Sequence, residues 1–449
     1  MYSSPDNVGE PAPGDGVGPK DMEMLDRLQK TAFDSLAKST NPRTGLVADR
    51  SLDNSHASIA VVGFALSAYV VGVERGWMSR EEAVRRTLVT LRFFWQSDQT
   101  GSTEATGFKG FYFHFLDMET GKRARECELS IIDTAILIAG ILTSAAYFTG
   151  STPLETELRQ LADDLYRRVD WGWAEAGGSA VVHGWRPNHG FMTYGWEGYS
   201  EALVLYVLGL GSPTHRLKSQ SFNAWTMTYQ WENLYGQDFL YAGPLFIHQL
   251  SHAWIDLRGL QDDFMREKGS DYFENSRRAT IVQREYARRN PLNFRGYAQD
   301  CWGLSAGDGP NGRPSIYAGR HQTLYGYAAR GVPYGPDDGT LAGSAALNSL
   351  VFALDIALPV VRTLYDRGRL ETGTTVLAGG FNASVVDSEG EPWISAGSFG
   401  FDQGLVVLSL ENFRSGLLWK LTCDIPYIRA GLSRAGFKGG WLSRRARSP

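Results

Sequence analysis

Helical segments that are apolar nearly all round alternate along this chain with charged, amphipathic ones, and that alternation limits the fold more than any other feature. Ser58 to Val73, Ser130 to Phe148 and the run ALVLYVLGL at Ala202–Leu210 lack a polar side. Asp21 to Ala37, Ser79 to Trp95, Leu154 to Val169 and Asp271 to Asn290 each pair an apolar stripe with a charged face. A helix without a polar face has to be covered on every side, whereas an amphipathic one can border water. Both demands are met by an inner layer of helices wrapped by an outer one, so the pattern predicts an all-α protein built as two concentric rings. Gly243 to Leu260 and Leu341 to Leu358, the latter expected to break at Pro359, continue the inner set. Asp402 opens the last inner helix, LVVLSLENF. Long loops rich in Gly and aromatic residues join the pairs, with short β-hairpin signals in GFKGFYFHFLDMETGKR and between Gly379 and Phe401.

The chain has 449 residues and no linker-like stretch after Asp21, so a single domain from residue 21 to 449 is expected, preceded by a disordered Pro/Gly/Ser-rich leader over 1–20. That leader lacks the charged start and apolar core of a signal peptide, which points to the cytoplasm for the chain as written, or to the periplasm or exterior if a leader is missing. No segment reaches the ~18 uninterrupted apolar residues of a membrane span. A net charge of -5 without a basic stripe argues against a nucleic-acid partner. The three scattered cysteines, Cys127, Cys301 and Cys423, form neither a disulfide framework nor a CxxC metal site. Aromatic residues make up 12% of the chain and crowd into Gly-containing loops, a pattern shared by sugar-binding clefts and by large aromatic cores.

The stretch YGWEGYSEALVLYVLGLGSPT, Tyr194 to Thr214, passes from an aromatic, glycine-broken loop into a buried helix. Glu197 and Glu201 lie four residues apart at that junction, and project from one face if the helix has begun by Glu197. Two carboxyl groups across a scissile bond are what glycoside hydrolysis needs: one protonates the leaving oxygen, the other activates water or attacks. Glu128, Asp133 and Asp402 also sit at starts of inner helices, where the helix dipole alone would favour an acid. His248, His252 and Asp256 share helical spacing but lack the HExxH glutamate, so a core or sugar-contacting histidine is favoured over a metal. No P-loop, dinucleotide-binding glycine motif or GxSxG elbow is present, and no cofactor is expected.

Several of these stretches together resemble the bacterial glycoamylase-like (glucoamylase-like) family. They are GLVADRS (Gly45–Ser51), GFYFHFLDMETGKR (Gly110–Arg123), ELSIIDTAILIAG (Glu128–Gly140), YGWEGYSEALVLYVLGLGSPTH (Tyr194–His215), YAGPLFIHQLSHAWIDLRG (Tyr241–Gly259), CWGLSAGDGP (Cys301–Pro310) and FDQGLVVLSLENFRSGLLW (Phe401–Trp419). That family is related to glycoside hydrolase family 144 endo-β-1,2-glucanases and to a domain of cyclic β-1,2-glucan synthases. The resemblance implies an (α/α)6 toroid and a glucan or oligosaccharide substrate, most simply β-1,2-linked, cleaved with inversion and without a metal. It implies no oligomeric state. Carried over motif by motif, Glu201, Glu197, Asp402, Asp133 and Glu128 become the catalytic candidates. Trp196, Tyr199, His114, His252, Trp254, Trp302, Asp308 and Gln403 become the substrate contacts. The motifs depart from the family at Ser200, where Asn is frequent, and at Leu405, where Pro is frequent. Rival readings are glycosyl transfer in the same cleft, α-glucan hydrolysis, and a non-catalytic carbohydrate-binding protein.

Overall fold

The computed structural model describes residues 17–312, 315–317, 319–372 and 376–444. The expected leader falls on 1–16, outside the described residues, except for its last few positions, and two of these, Pro19 and Lys20, already belong to the first helix. In chain order the helices are α1 (Pro19–Lys38), α2 (Ile59–Glu74), α3 (Arg80–Gln96), α4 (Ile131–Tyr147), α5 (Pro153–Arg168), α6 (Leu203–Gly211), α7 (Ser219–Thr226) and α8 (Leu245–Gln249). They continue with α9 (Asp263–Lys268), α10 (Tyr272–Arg289), α11 (Gly343–Ser349), α12 (Leu354–Asp366), α13 (Gly400–Ser415), α14 (Leu417–Thr422) and α15 (Pro426–Arg434). The protein is helix-rich, and among the described residues no helix is long and apolar enough to cross a membrane.

Helices that are apolar all round pack on one another. α2 touches α4 and α13, α4 touches α6, and α11 touches α8 and α13. The Ser251 hydroxyl joins α6 to the 3-10 turn Leu250–Ala253 by accepting the Val204 N–H and donating to the Glu201 carbonyl. The amphipathic helices lie against this layer: α1 on α13, α5 on α4, α15 on α6, α10 on α8 and α12 on α11, while α3 rests on α5 and α2. α2 and α4 approach so closely that a methyl group at Gly140 would run into the Gly63 carbonyl, and one at Gly63 into that of Ile136. Three of the outer helices carry side-chain caps at their starts. Ser79, Thr152 and Asp271 each accept the N–H three residues on and satisfy a free donor of the first turn.

Three expectations need correction. α6 begins at Leu203, because Gly198 adopts φ +74° and the chain turns through Glu201 before the helix forms, so Glu197 and Glu201 do not share a helical face. The segment from Gly243 to Leu260 is not one helix: α8 starts after Pro244, tightens into the 3-10 turn and ends at Ala253. In the Leu341–Leu358 region the break comes at Leu350–Ala353, and Pro359 lies inside α12, in the second turn, at the loss of one N–H donor.

Candidate active site

Inner-helix starts and the loops before them open onto a cavity of about 380 Å³, within the usual range for small-molecule sites. A five-stranded antiparallel sheet of short segments sets one wall. Gly107–Phe108 and Leu129–Ser130 pair with Phe111–Phe113, and Gly184–Arg186 pairs with Leu129–Ser130 and with Gly190–Phe191. The register brings the ends of three strands together, so His114, Glu128 and His183 all line the cavity. Asp133 joins them from the first turn of α4, where Ser130 caps the helix and donates its hydroxyl to Asp133 Oδ2 at 2.5 Å.

His114 is held between two acids. Its Nδ1 lies 2.9 Å from Glu128 Oε1 and its Nε2 3.5 Å from Asp133 Oδ2, and its ring stacks on Phe115. Burial opposes a charge on the imidazole, but Asp133 and Glu128, with Asp49 adding to them, outweigh it and hold the ring up at about 9. Burial likewise opposes the charge of Glu128, yet the hydrogen bond and charge of His114 keep that carboxyl below its ordinary range. These three donors lie within 4.8 Å of one another, close enough to hold a metal ion. As placed, both ring nitrogens of His114 face a carboxylate, and the trio reads as a charge-assisted network.

Glu201 lines the same cavity from the turn before α6. Burial pushes its carboxyl up to about 7; its own backbone N–H offsets part of that, and the charge of Asp133 adds to it. Asp402 sits in the first turn of α13, directly after the wall residue Phe401. Burial raises it to about 7 as well, against the Ser344 hydroxyl bonded to Oδ1 at 3.2 Å and with the charge of Asp49 adding to it. The phenol of Tyr327, on the cavity wall, feels the charges of Asp402, Asp49 and Glu201 together, which ties the two raised carboxyls to one region. Tyr327 is presented by a loop clamped by a buried ion pair. Arg330 bonds both oxygens of Asp338, at 2.7 and 2.9 Å, and the carbonyls of Gly307 and Gly326.

Of the residues expected from sequence, Glu201, Asp133, Glu128, Trp196 and His114 therefore meet in one cavity, and Asp402 directly follows its wall residue Phe401. The others do not. Glu197 is exposed and, with Tyr199, lines a separate cavity. His252 is buried against the Ser276 hydroxyl, and burial pushes it down to about 3, so it stays neutral in the core. Trp254 and Trp302 are fully buried, Trp254 donating its indole N–H to Ser67. Gln403 is spent on the backbone of Leu377, and Asp308 accepts from the Ser395 hydroxyl. His248 bonds the Ala242 carbonyl and Asp256 pairs with Arg258, so the His248, His252 and Asp256 group does not converge. Sequence reasoning missed Asp49, Arg50, His183 and Tyr327 as cavity residues. The signal present was slight: Asp49-Arg50 inside GLVADRS, and His183 in an aromatic loop where it stacks on Trp196 at 4.1 Å.

The Glycoamylase family model, described as "Putative glucoamylase", matches residues 193–426, just over half of the chain and including both raised carboxyls. The chain belongs to the Glycoamylase family. A solved Bacteroides uniformis protein carrying the same description is 29% identical with a TM-score of 0.83, covering 95% of this chain and 100% of that one. An endo-β-1,2-glucanase from Chitinophaga pinensis, solved with sophorotriose and glucose, is 26% identical with a TM-score of 0.81, covering 94% of this chain and 99% of that one. An exo β-1,2-glucooligosaccharide sophorohydrolase of Parabacteroides distasonis is 25% identical over 92% of this chain. The chain spans 58% of the length of that curated relative.

Proposed function

We propose that this member of the Glycoamylase family is a glycoside hydrolase that cleaves β-1,2-linked gluco-oligosaccharides or glucan with inversion. The observation that carries the reading is Glu201: a carboxyl on the cavity surface that keeps its proton to about pH 7, beside anionic partners. A general acid for glycoside cleavage needs that property. In this reading Glu201 gives its proton to the glycosidic oxygen. Asp402, in its ionised form, takes a proton from the water that adds at the anomeric carbon. Glu128, kept as a carboxylate by His114, accepts hydrogen bonds from sugar hydroxyls together with Asp133, and Trp196 offers an apolar wall. No metal takes part in any step. The β-1,2 preference rests on the activities named for the Chitinophaga pinensis and Parabacteroides distasonis proteins.

The same reading takes the two helical layers as an (α/α)6 toroid that forms one catalytic unit from α1 onward. Its inner ring would be α2, α4, α6, α8 with the following 3-10 turn, α11 and α13, which is consistent with their mutual packing. Incubation with a panel of α- and β-linked glucans, followed by NMR of the fresh products, tests the function. Release of α-anomeric sugar from β-1,2-linked substrate alone is expected. Cleavage confined to α-glucans, or products that keep the β-anomer, would overturn the linkage or the inversion.

A further inference from the structure

Asp402, the base in the proposed reaction, is addressed by two groups that act on its charge in opposite senses. The first comes from α11. Ser344, in the first turn of that helix and buried, donates its hydroxyl to Asp402 Oδ1 at 3.2 Å. A hydroxyl that donates to a carboxylate favours the ionised form and fixes the direction of the accepting oxygen.

The second is Asp49, on the cavity wall. Residues 49–51 are laced to 398–400, just ahead of α13. The Asp49 carbonyl accepts the Gly400 N–H at 2.8 Å, and the Ser398 carbonyl accepts the Ser51 N–H at 3.0 Å. The Ser51 hydroxyl oxygen accepts the Ser398 N–H at 3.0 Å. Between these bonds Arg50 pairs with Phe399 in an antiparallel bridge and lays its guanidinium over that ring at 4.3 Å. A methyl group at Gly400 would strike Val61 of α2 and press on the Ala48 carbonyl, so α13 begins wedged against this lacing. Asp49 therefore keeps a fixed place relative to the first turn of α13. A carboxylate there disfavours a second negative charge on Asp402. Arg50, His114 and Arg125 act on Asp49 with positive charge and oppose the rise that burial gives it.

The other elements packed on α13 bring their charges elsewhere. α2 meets its first turns with Val61 and Phe64, and α11 carries no titratable group. Tyr327 is the titratable neighbour on the cavity side. The ion pairs Arg75–Glu411 and Asp26–Arg414 join α13 toward its C-terminal end.

We propose that Ser344 and Asp49 are opposed positioning residues for Asp402: the Ser344 hydroxyl orients its carboxyl and favours the charge, while the Asp49 carboxylate, laced to the start of α13, makes that carboxyl hold a proton more strongly. A base that takes a proton from water gains from a higher proton affinity, yet must be ionised at the working pH, and the two residues set that balance. The proposal rests on the hydrolase reading for the role of Asp402.

Ser344→Ala and Asp49→Asn, compared with wild type in the pH profile of kcat/KM on a β-1,2-linked oligosaccharide, test it. The acidic limb reports the base, Asp402, and the alkaline limb the acid, Glu201. In Ser344→Ala the acidic midpoint should move up by about 0.5–1 pH unit, the size expected for one hydrogen bond to a carboxylate. In Asp49→Asn it should move down by a similar amount, because a like charge has gone. The alkaline midpoint should stay in place in both. His114, on which Asp49 also acts, titrates at about 9 and stays clear of the acidic limb. A midpoint belongs to the active molecules, so partial misfolding does not imitate opposite shifts. Carbon-13 NMR of protein labelled at the Asp carboxyl, with the Asp402 signal assigned by its loss in Asp402→Asn, reads the same titration without substrate. Opposite shifts by NMR while wild type cleaves nothing support the opposed pair and remove the hydrolase reading. Cleavage by wild type with the Asp402 titration unmoved in both variants, or moved in the same direction by both, overturns the pair and leaves the hydrolase reading standing.

Discussion

The charge on His114 should be visible in the pH dependence of stability. His114 is flanked by Glu128 at 2.9 Å and Asp133 at 3.5 Å, with Asp49 also acting on it, and its proton affinity rises from 6.5 to about 9. An imidazole raised that far contributes at most about 3 kcal/mol, and nearer 2 once the exposed part of the side chain is discounted. The direction follows from the sign of the change. A group raised on folding contributes in full below its unfolded value of 6.5, and the contribution fades as pH climbs through about 9. Urea unfolding of wild type and His114→Gln at pH 6, 7.5 and 9.5 measures the difference directly. The gap between the two proteins should be about 2–3 kcal/mol wider at pH 6 than at pH 9.5. A gap independent of pH would refute the charged network and leave His114 as a neutral packing residue.

Other perturbations report on the fold and on the electrostatics of the cavity. Gly140→Ala should destabilise by about 1–3 kcal/mol in denaturant unfolding, the usual cost of overpacking, since the new methyl meets the Gly63 carbonyl. Asp338→Ala strands Arg330 without its partner in the interior and should cost about 3–5 kcal/mol of stability, lowering turnover through the displaced Tyr327 loop. The pH profile of kcat/KM should be bell-shaped around 7, because both Glu201 and Asp402 titrate there and one must hold a proton while the other has lost it. Asp133→Asn removes a negative charge that helps Glu201 keep its proton, so the alkaline limb should move to lower pH.

How far the sequence led depended on the kind of signal. α2, α4 and α13 were legible because runs without a polar face have only one place to go, and the outer helices because an apolar stripe beside a charged face marks them. That Glu201 lines a cavity was legible for the same reason, since it precedes a buried helix. The error over Glu197 came from a single backbone choice at Gly198, which no periodicity reveals. Trp254 and Trp302 look the same in sequence as cleft aromatics, yet both are fully buried in the core. Asp49, His183 and Tyr327 reach the cavity from three distant loops, and their meeting is a property of the tertiary fold, which local pattern does not encode.

Glu201→Gln on a β-1,2-linked oligosaccharide is the most direct test of the central claim. The substitution keeps the shape of the side chain and its hydrogen-bonding capacity but removes the proton that the carboxyl holds to about pH 7. Turnover should fall by about 10²–10⁴, while calorimetric affinity for the same oligosaccharide persists, since Trp196, Asp133 and Glu128 are untouched. Turnover within about twofold of wild type would contradict the account, because the group assigned to protonate the leaving oxygen would then be dispensable.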